Sequence, residues 1–124
     1  MKAILLVSHG SRSAKARQEV FDLAERLKKE SCFSVLEVAF LEVEKPDILD
    51  GFSACVEKGA TEIIVLQNFL NSGNHVLKDI PRCLKEANCR YPGIKFHIKP
   101  FVGSHPRLKD LFLDLVSTPS GDPQ

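Results

Sequence analysis

The strongest constraint on this chain is an alternation: four short apolar runs, each followed by a stretch with helical spacing, spread over 124 residues. Residues 2–7 (KAILLV) are continuously apolar, which predicts a strand covered on both faces. Residues 13–30 place Val20, Leu23, Ala24 and Leu27 at i, i+3, i+4 and i+7, with Arg17, Glu25, Arg26 and Lys28 on the other face. That spacing predicts an amphipathic helix, with Ser13 as its N-cap. A second strand is expected at residues 34–41. A second helix opens at Pro46-Asp47, turns Ile48, Phe52, Cys55 and Val56 inward, and closes at Gly59. Residues 62–66 (EIIVL) read as the third strand. A third helix is expected at residues 75–87, with Ile80, Leu84 and Ala87 inward and Pro81 in its first two turns. Tyr91-Pro92-Gly93 is a turn, and residues 94–101 alternate apolar with polar, as suits a strand nearer a sheet edge. Pro106 starts the last helix, with Leu108, Leu111, Phe112 and Leu115 at the helical period.

Strands alternating with helices imply an α/β fold. The expectation is a three-layer, flavodoxin-like arrangement with a mainly parallel four-stranded sheet, right-handed crossovers and helices on both faces. The length suits one domain, expected at residues 1–116, with a Ser-, Pro- and Gly-rich tail at 117–124 that frays. Parallel strands send all their following loops to one edge of the sheet. Those loops carry His9, Glu42, the segment 68–75 (NFLNSGNH) and His105.

Composition removes several classes of function. A formal charge of +1 gives no argument for nucleic acid or an anionic membrane surface. The longest apolar runs span about five residues against the roughly 18 that cross a bilayer. The N-terminus enters a strand at once and shows no signal-peptide cleavage pattern, so a cytoplasmic protein is expected. The cysteines Cys32, Cys55, Cys83 and Cys89 form no Cys-x-x-Cys pair, and free thiols are expected. Neither a dinucleotide-binding glycine motif nor a Walker loop is present. Ser8 stands where histidine phosphatases place an arginine.

The histidines carry the remaining chemistry. His9 follows the first strand, and His75 follows the third behind Gly73, both where α/β folds place ligands. Neutral imidazole binds first-row metals and accepts protons near neutral pH, and Glu42 offers an oxygen ligand or a second base. Two histidines and a carboxylate suit a facial metal site. The competing reading is a pair of ordinary surface or hydrogen-bonding histidines. His97 alternates with apolar neighbours and reads as solvent-facing, whereas His105 divides between a helix-start role and a site role.

Taken together, the motifs resemble the short class II chelatases. The resemblance rests on His9-Gly10-Ser11-Arg12, on Phe40-Leu41-Glu42 with Pro46, and on Phe69-Leu70-x-x-Gly73-x-His75 with Asp79-Ile80-Pro81. Gly103-Ser104-His105-Pro106 resembles that family's Gly-Thr-His-Pro ending, and the match covers about residues 2–115 in order. It implies insertion of cobalt, nickel or ferrous iron into sirohydrochlorin, a lyase-type step of cobalamin or sirohaem biosynthesis. The metal is then substrate, and no organic cofactor is expected. His9 and His75 correspond to the metal-handling histidines, His9 also to the proton acceptor, and Glu42 to a carboxylate found at the site. The segment Leu70, Asn71, Ser72, Gly73, Asn74 and His75 corresponds to the loop lining the tetrapyrrole pocket. Phe69 would stand against the ring or simply pack in the core. Arg12, Lys45 and Lys78 are candidate donors to substrate carboxylates, with ordinary surface charge as the alternative. The resemblance also implies a homodimer. The sequence departs from the family at Lys45, Gln67, Asn68, Asn71 and Ser72, which leaves a non-catalytic metal or tetrapyrrole carrier as the alternative function.

Overall fold

The computed structural model describes residues 1–121, the side chains of residues 74–77 excepted. Its elements are β1 (Lys2–Ser8), α1 (Ala14–Glu30), β2 (Val35–Phe40), α2 (Ile48–Glu57), β3 (Glu62–Gln67), α3 (Asn74–Arg90), β4 (Lys95–Ile98) and α4 (Leu108–Val116). A single 3-10 turn, Val102–Ser104, precedes α4. Three residues of the expected tail, 122–124, lie outside the described part. Among the described residues no helix is long and apolar enough to cross a membrane.

All strand pairs are parallel, in the order β2-β1-β3-β4. β1 is central, apolar from Ala3 to Val7 and buried from Ala3 onward, so both its faces are covered. On one face Leu5, Val7, Ile63 and Val65 pack under α2 and α3 with Phe52, Cys55, Ile80 and Ala87. On the other, Leu6, Val38 and Phe40 pack against Ala24 of α1. This is the layered α/β sheet that the alternation predicts. Cys55 is completely buried, and burial pushes its thiol up to about 12, so it serves as a small protonated core group. All four cysteines are free thiols.

Local chemistry sets the helix boundaries. The Ser13 side chain caps α1 by accepting from the Ala16 N–H at 3.2 Å. Asp47 and Asp50 form a reciprocal capping box at the start of α2. α3 runs through Arg90, longer than expected, and contains Pro81 in its interior. β4 is shorter than its alternating sequence suggests. The Gln67 side chain takes the Lys99 carbonyl at 2.7 Å, Pro100 has no N–H to offer, and the chain turns into the 3-10 segment.

The last helix departs most from expectation. It begins at Leu108 rather than Pro106, and it packs chiefly on the 3-10 turn instead of the sheet. Leu108 is half-buried, but Leu111, Phe112 and Leu115 are 56–64% exposed. Its apolar stripe therefore faces outward.

Strand order also fixes where a crevice opens. From β1 the chain crosses one face through α1 to reach β2. From β3 it crosses the opposite face through α3 to reach β4. The loops after neighbouring strands β1 and β3 thus diverge, and α/β sheets bind ligands at such a switch point.

Candidate functional site at the β1 and β3 ends

His9 is the first residue beyond β1, exposed at the carboxyl edge of the sheet. Its ring stands edge-on to Phe69, with centroids 4.6 Å apart and planes at 69°. Phe69 itself is buried, so one side chain both fills the core and props the imidazole. Of the two readings of Phe69, core packing is the one this burial describes.

The loops after β1 and β2 are joined through their backbones. Leu41 N–H donates to the Ser8 carbonyl at 2.8 Å, and Glu42 N–H to the His9 carbonyl at 3.0 Å. Gly10 makes this approach possible. Its φ is +100°, and a Cβ there would lie 2.0 Å from the Glu42 carbonyl oxygen. His9 and Glu42 therefore occupy adjoining backbone, and the Glu42 residue is exposed.

Immediately after Glu42 the chain is strained. Val43 has φ +74°, and Glu44 N–H donates to the Glu42 carbonyl two residues back at 2.8 Å. That is a γ-turn of the rare positive-φ kind, and such backbone costs on the order of 1–3 kcal/mol for a side-chain-bearing residue. The Glu44 carboxylate anchors it. One oxygen accepts from Ser11 N–H at 2.7 Å, and the other from Arg17 Nη1 at 2.9 Å. The Arg17 hydrogen bond, with help from the Ser11 N–H, holds the Glu44 carboxyl below the usual range.

The β3 loop is tied to β1 and to the end of β4. Asn68 N–H donates to the Val7 carbonyl at 2.8 Å, and its side-chain amide to Ser8 Oγ at 3.0 Å. Gly103 N–H donates to the Phe69 carbonyl at 2.9 Å, with the Leu70 carbonyl so close that a Cβ on Gly103 would fall 1.7 Å from it. Leu70, Asn71, Ser72 and Gly73 are exposed along the rim. His75 and Asn74 begin α3 just beyond the N-cap Gly73, but their side chains lie outside the described residues. Among the described residues no three His, Cys, Asp or Glu side chains gather as a ready-made cation cage.

The other candidates take more ordinary places. Lys45 is paired with Asp47 at 2.8 Å and Asp50 at 3.4 Å, and the Asp47 hydrogen bond raises its pKa. It shares its charge with the α2 cap while remaining largely in solvent. Arg12 and Lys78 are exposed. The Nδ1 of His105 accepts from Arg107 N–H at 3.0 Å, just ahead of α4. His97 is exposed and lies 3.9 Å from Glu62 on β3.

Several contributors are not evident in the sequence pattern. Arg17 reads as a polar-face residue, and Glu44 as loop charge. Gln67 and Asn68, departures from the family pattern, each hold a hydrogen bond between strand ends. Gly103 announces itself only as part of a short motif. Two hollows in the surface have neither His9 nor Glu42 in their lining. One of about 330 Å³ is lined by Leu41, Ile48, Arg82 and Cys83, and one of about 470 Å³ by Leu66, Phe101, Val102 and His105. His9 and Glu42 stand on an open shelf.

The chain is similar to several known proteins. The chain is 42% identical over 102 residues to the sirohydrochlorin ferrochelatase of Bacillus subtilis, covering 82% of this chain and 39% of the relative. It is 38% identical over 84 residues to the sirohydrochlorin cobaltochelatase of Methanocaldococcus jannaschii, covering 68% and 59%. The crystal structure of the sirohydrochlorin chelatase SirB from B. subtilis subspecies spizizenii, in complex with cobalt, superposes with a TM-score of 0.82 at 37% identity. That match covers 94% of this chain and 50% of the other. The chain thus spans about half the length of the relatives it matches. The CbiX family model matches residues 3–118, and the chain belongs to that family.

Proposed function

We propose that the protein inserts a divalent first-row metal, cobalt, nickel or ferrous iron, into sirohydrochlorin, in the cytoplasm and as a homodimer. The observation that carries this reading is the exposed His9, fixed on Phe69 at the switch point and joined through backbone to Glu42. In this reading His9 and His75 present neutral imidazoles to the metal, replacing water ligands. Glu42, with one of the histidines, takes the two pyrrole protons as the ring nitrogens lose them. Phe69 supports the imidazole, while Leu70 and residues 71–74 form the wall beside the macrocycle. Arg12 and the backbone N–H groups at the start of α3 offer donors to the substrate's carboxylates.

The openness of the shelf supports two copies. Small-molecule sites commonly bury 70–90% or more of a ligand, whereas His9 and Glu42 face solvent. A second copy set opposite would supply the missing wall, and the uncovered stripe on α4 gives the chain apolar surface to associate through. The domain of residues 1–116 is then one half of the working unit.

The test is absorbance spectroscopy of purified protein with sirohydrochlorin and Co²⁺. Wild type is expected to convert the substrate spectrum, and His9→Ala to be slower by about 10²–10⁴-fold. Ligand binding without conversion by wild type would instead favour the carrier reading. Unchanged rates in His9→Ala would remove this histidine from the mechanism.

A further inference from the structure

We propose that Arg17 and Glu44 form a positioning clamp that sets His9 and Glu42 in register for the reaction. The proposal deepens the chelatase reading and rests on it. Glu44 is the carboxylate two residues beyond Glu42, and its two oxygens reach different parts of the fold. Oε2 accepts from Ser11 N–H at 2.7 Å, inside the loop that carries His9. Oε1 accepts from Arg17 Nη1 at 2.9 Å, on the first turns of α1.

Arg17 completes the clamp. The same Nη1 donates to the Lys45 carbonyl at 2.7 Å, so one guanidinium nitrogen holds both the side chain of Glu44 and the backbone after it. The guanidinium carbon also lies 5.0 Å and 5.2 Å from the ring centroids of Phe21 and Phe40, within cation–π range. It is thus fixed against the α1 face of the sheet. The Glu44 carboxylate retains little exposure, 11% of its side chain.

What the clamp holds is the strained turn. Val43, at φ +74°, lies between Glu42, whose N–H is bonded to His9, and Glu44, which is bonded to Ser11 and Arg17. A side-chain-bearing residue keeps that conformation only where its surroundings impose it. Released from Arg17, the turn relaxes, and the Glu42 carboxylate moves relative to the imidazole of His9. Neither Arg17 nor Glu44 touches substrate in this scheme. They act through the geometry of the two groups that do.

The experiment uses Glu44→Gln and Arg17→Met, with Arg17→Lys as the charge-conserving partner and Lys58→Met as a control. Lys58 pairs with Glu37 at the far end of α2, a comparable ion pair away from the site loops. Steady-state kinetics with sirohydrochlorin and Co²⁺ are measured alongside amide hydrogen exchange at Ser11 and Glu42. Glu44→Gln and Arg17→Met are expected to lose roughly 10²-fold in kcat, the scale that small misplacements of reacting groups cause. Arg17→Lys is expected to recover part of this loss, Lys58→Met to keep wild-type kcat, and exchange at Ser11 and Glu42 to rise in the two clamp variants. Adding Val43→Gly, which relieves the strain, should make Glu44→Gln less damaging than in the native turn.

Clamp variants with kcat within twofold of wild type, or a loss equalled by Lys58→Met, overturn the proposal. If wild type itself converts no substrate, the chelatase reading fails separately. In that case faster exchange confined to the clamp variants would still uphold the mechanical role, and unchanged exchange would end it.

Discussion

Gly10 is the residue on which the site's backbone most directly depends. Its positive φ and the Glu42 carbonyl, 2.0 Å from where a Cβ would stand, leave no room for a side chain. Gly10→Ala should destabilise the fold by about 1–3 kcal/mol, the usual range for forced overpacking, as read by denaturant unfolding. It should also push the His9 and Glu42 loops apart. Nothing in the sequence distinguishes this glycine from a flexible one, because the clash is with backbone 32 residues further on. Glu44 supplies a second prediction at this scale. Its carboxyl is held below the ordinary range in the folded state, mainly by Arg17. A carboxylate of this kind stabilises the fold above its unfolded pKa, about 4.3, and loses that contribution as pH falls through the lower folded value. Melting temperature followed from pH 6 to pH 2 should therefore drop more steeply in wild type than in Glu44→Gln.

Among the elements, α2 shows how far local signals reach. Asp47 accepts from Asp50 N–H at 2.8 Å, and Asp50 from Asp47 N–H at 3.0 Å, so the helix start is fixed by residues three apart. Asp47→Ala should cost about 0.5–2 kcal/mol in unfolding free energy by chemical denaturation. The cap, the inward Ile48, Phe52 and Cys55 and the stop near Gly59 are all readable from spacing, because each is a short-range preference. The same holds for β1 and β3, whose short apolar runs read as strands; β1 is buried on both faces, whereas β3 alternates between fully and partly buried residues. By contrast, β4 ends early through a Gln67 bond formed across strands, and α3 runs past its expected end. α4 has the right period but no covering partner among the described elements. Periodicity reports that a helix has an apolar face, and only tertiary contacts report what meets it.

For the whole molecule, parallel topology made most of the site legible. Once four β-α units are recognised, His9, Glu42 and the 68–75 segment must share an edge, and the described loops do so. The spacing of side chains across that edge is a different matter. It is set by Arg17, Glu44, Asn68 and Gly103, through contacts between residues distant in sequence. The molecule's remaining demand is a partner for α4. On the proposed reading of a homodimeric chelatase joined through α4, Phe112→Glu should shift dimer to monomer in sedimentation velocity and reduce activity in parallel, while far-UV circular dichroism stays close to wild type. An unchanged sedimentation coefficient would move the interface elsewhere.

The brevity of β4 has a consequence for how copies of this chain meet. Four residues long, carrying Lys95 and His97 and followed by Lys99 and Pro100, it offers a poor template for an incoming strand. Sheet-to-sheet extension along this border, the route by which exposed edges seed fibrils, is thereby discouraged. A protein that leaves greasy helical surface uncovered can thus be self-adhesive at one place without being sticky along its β4 border.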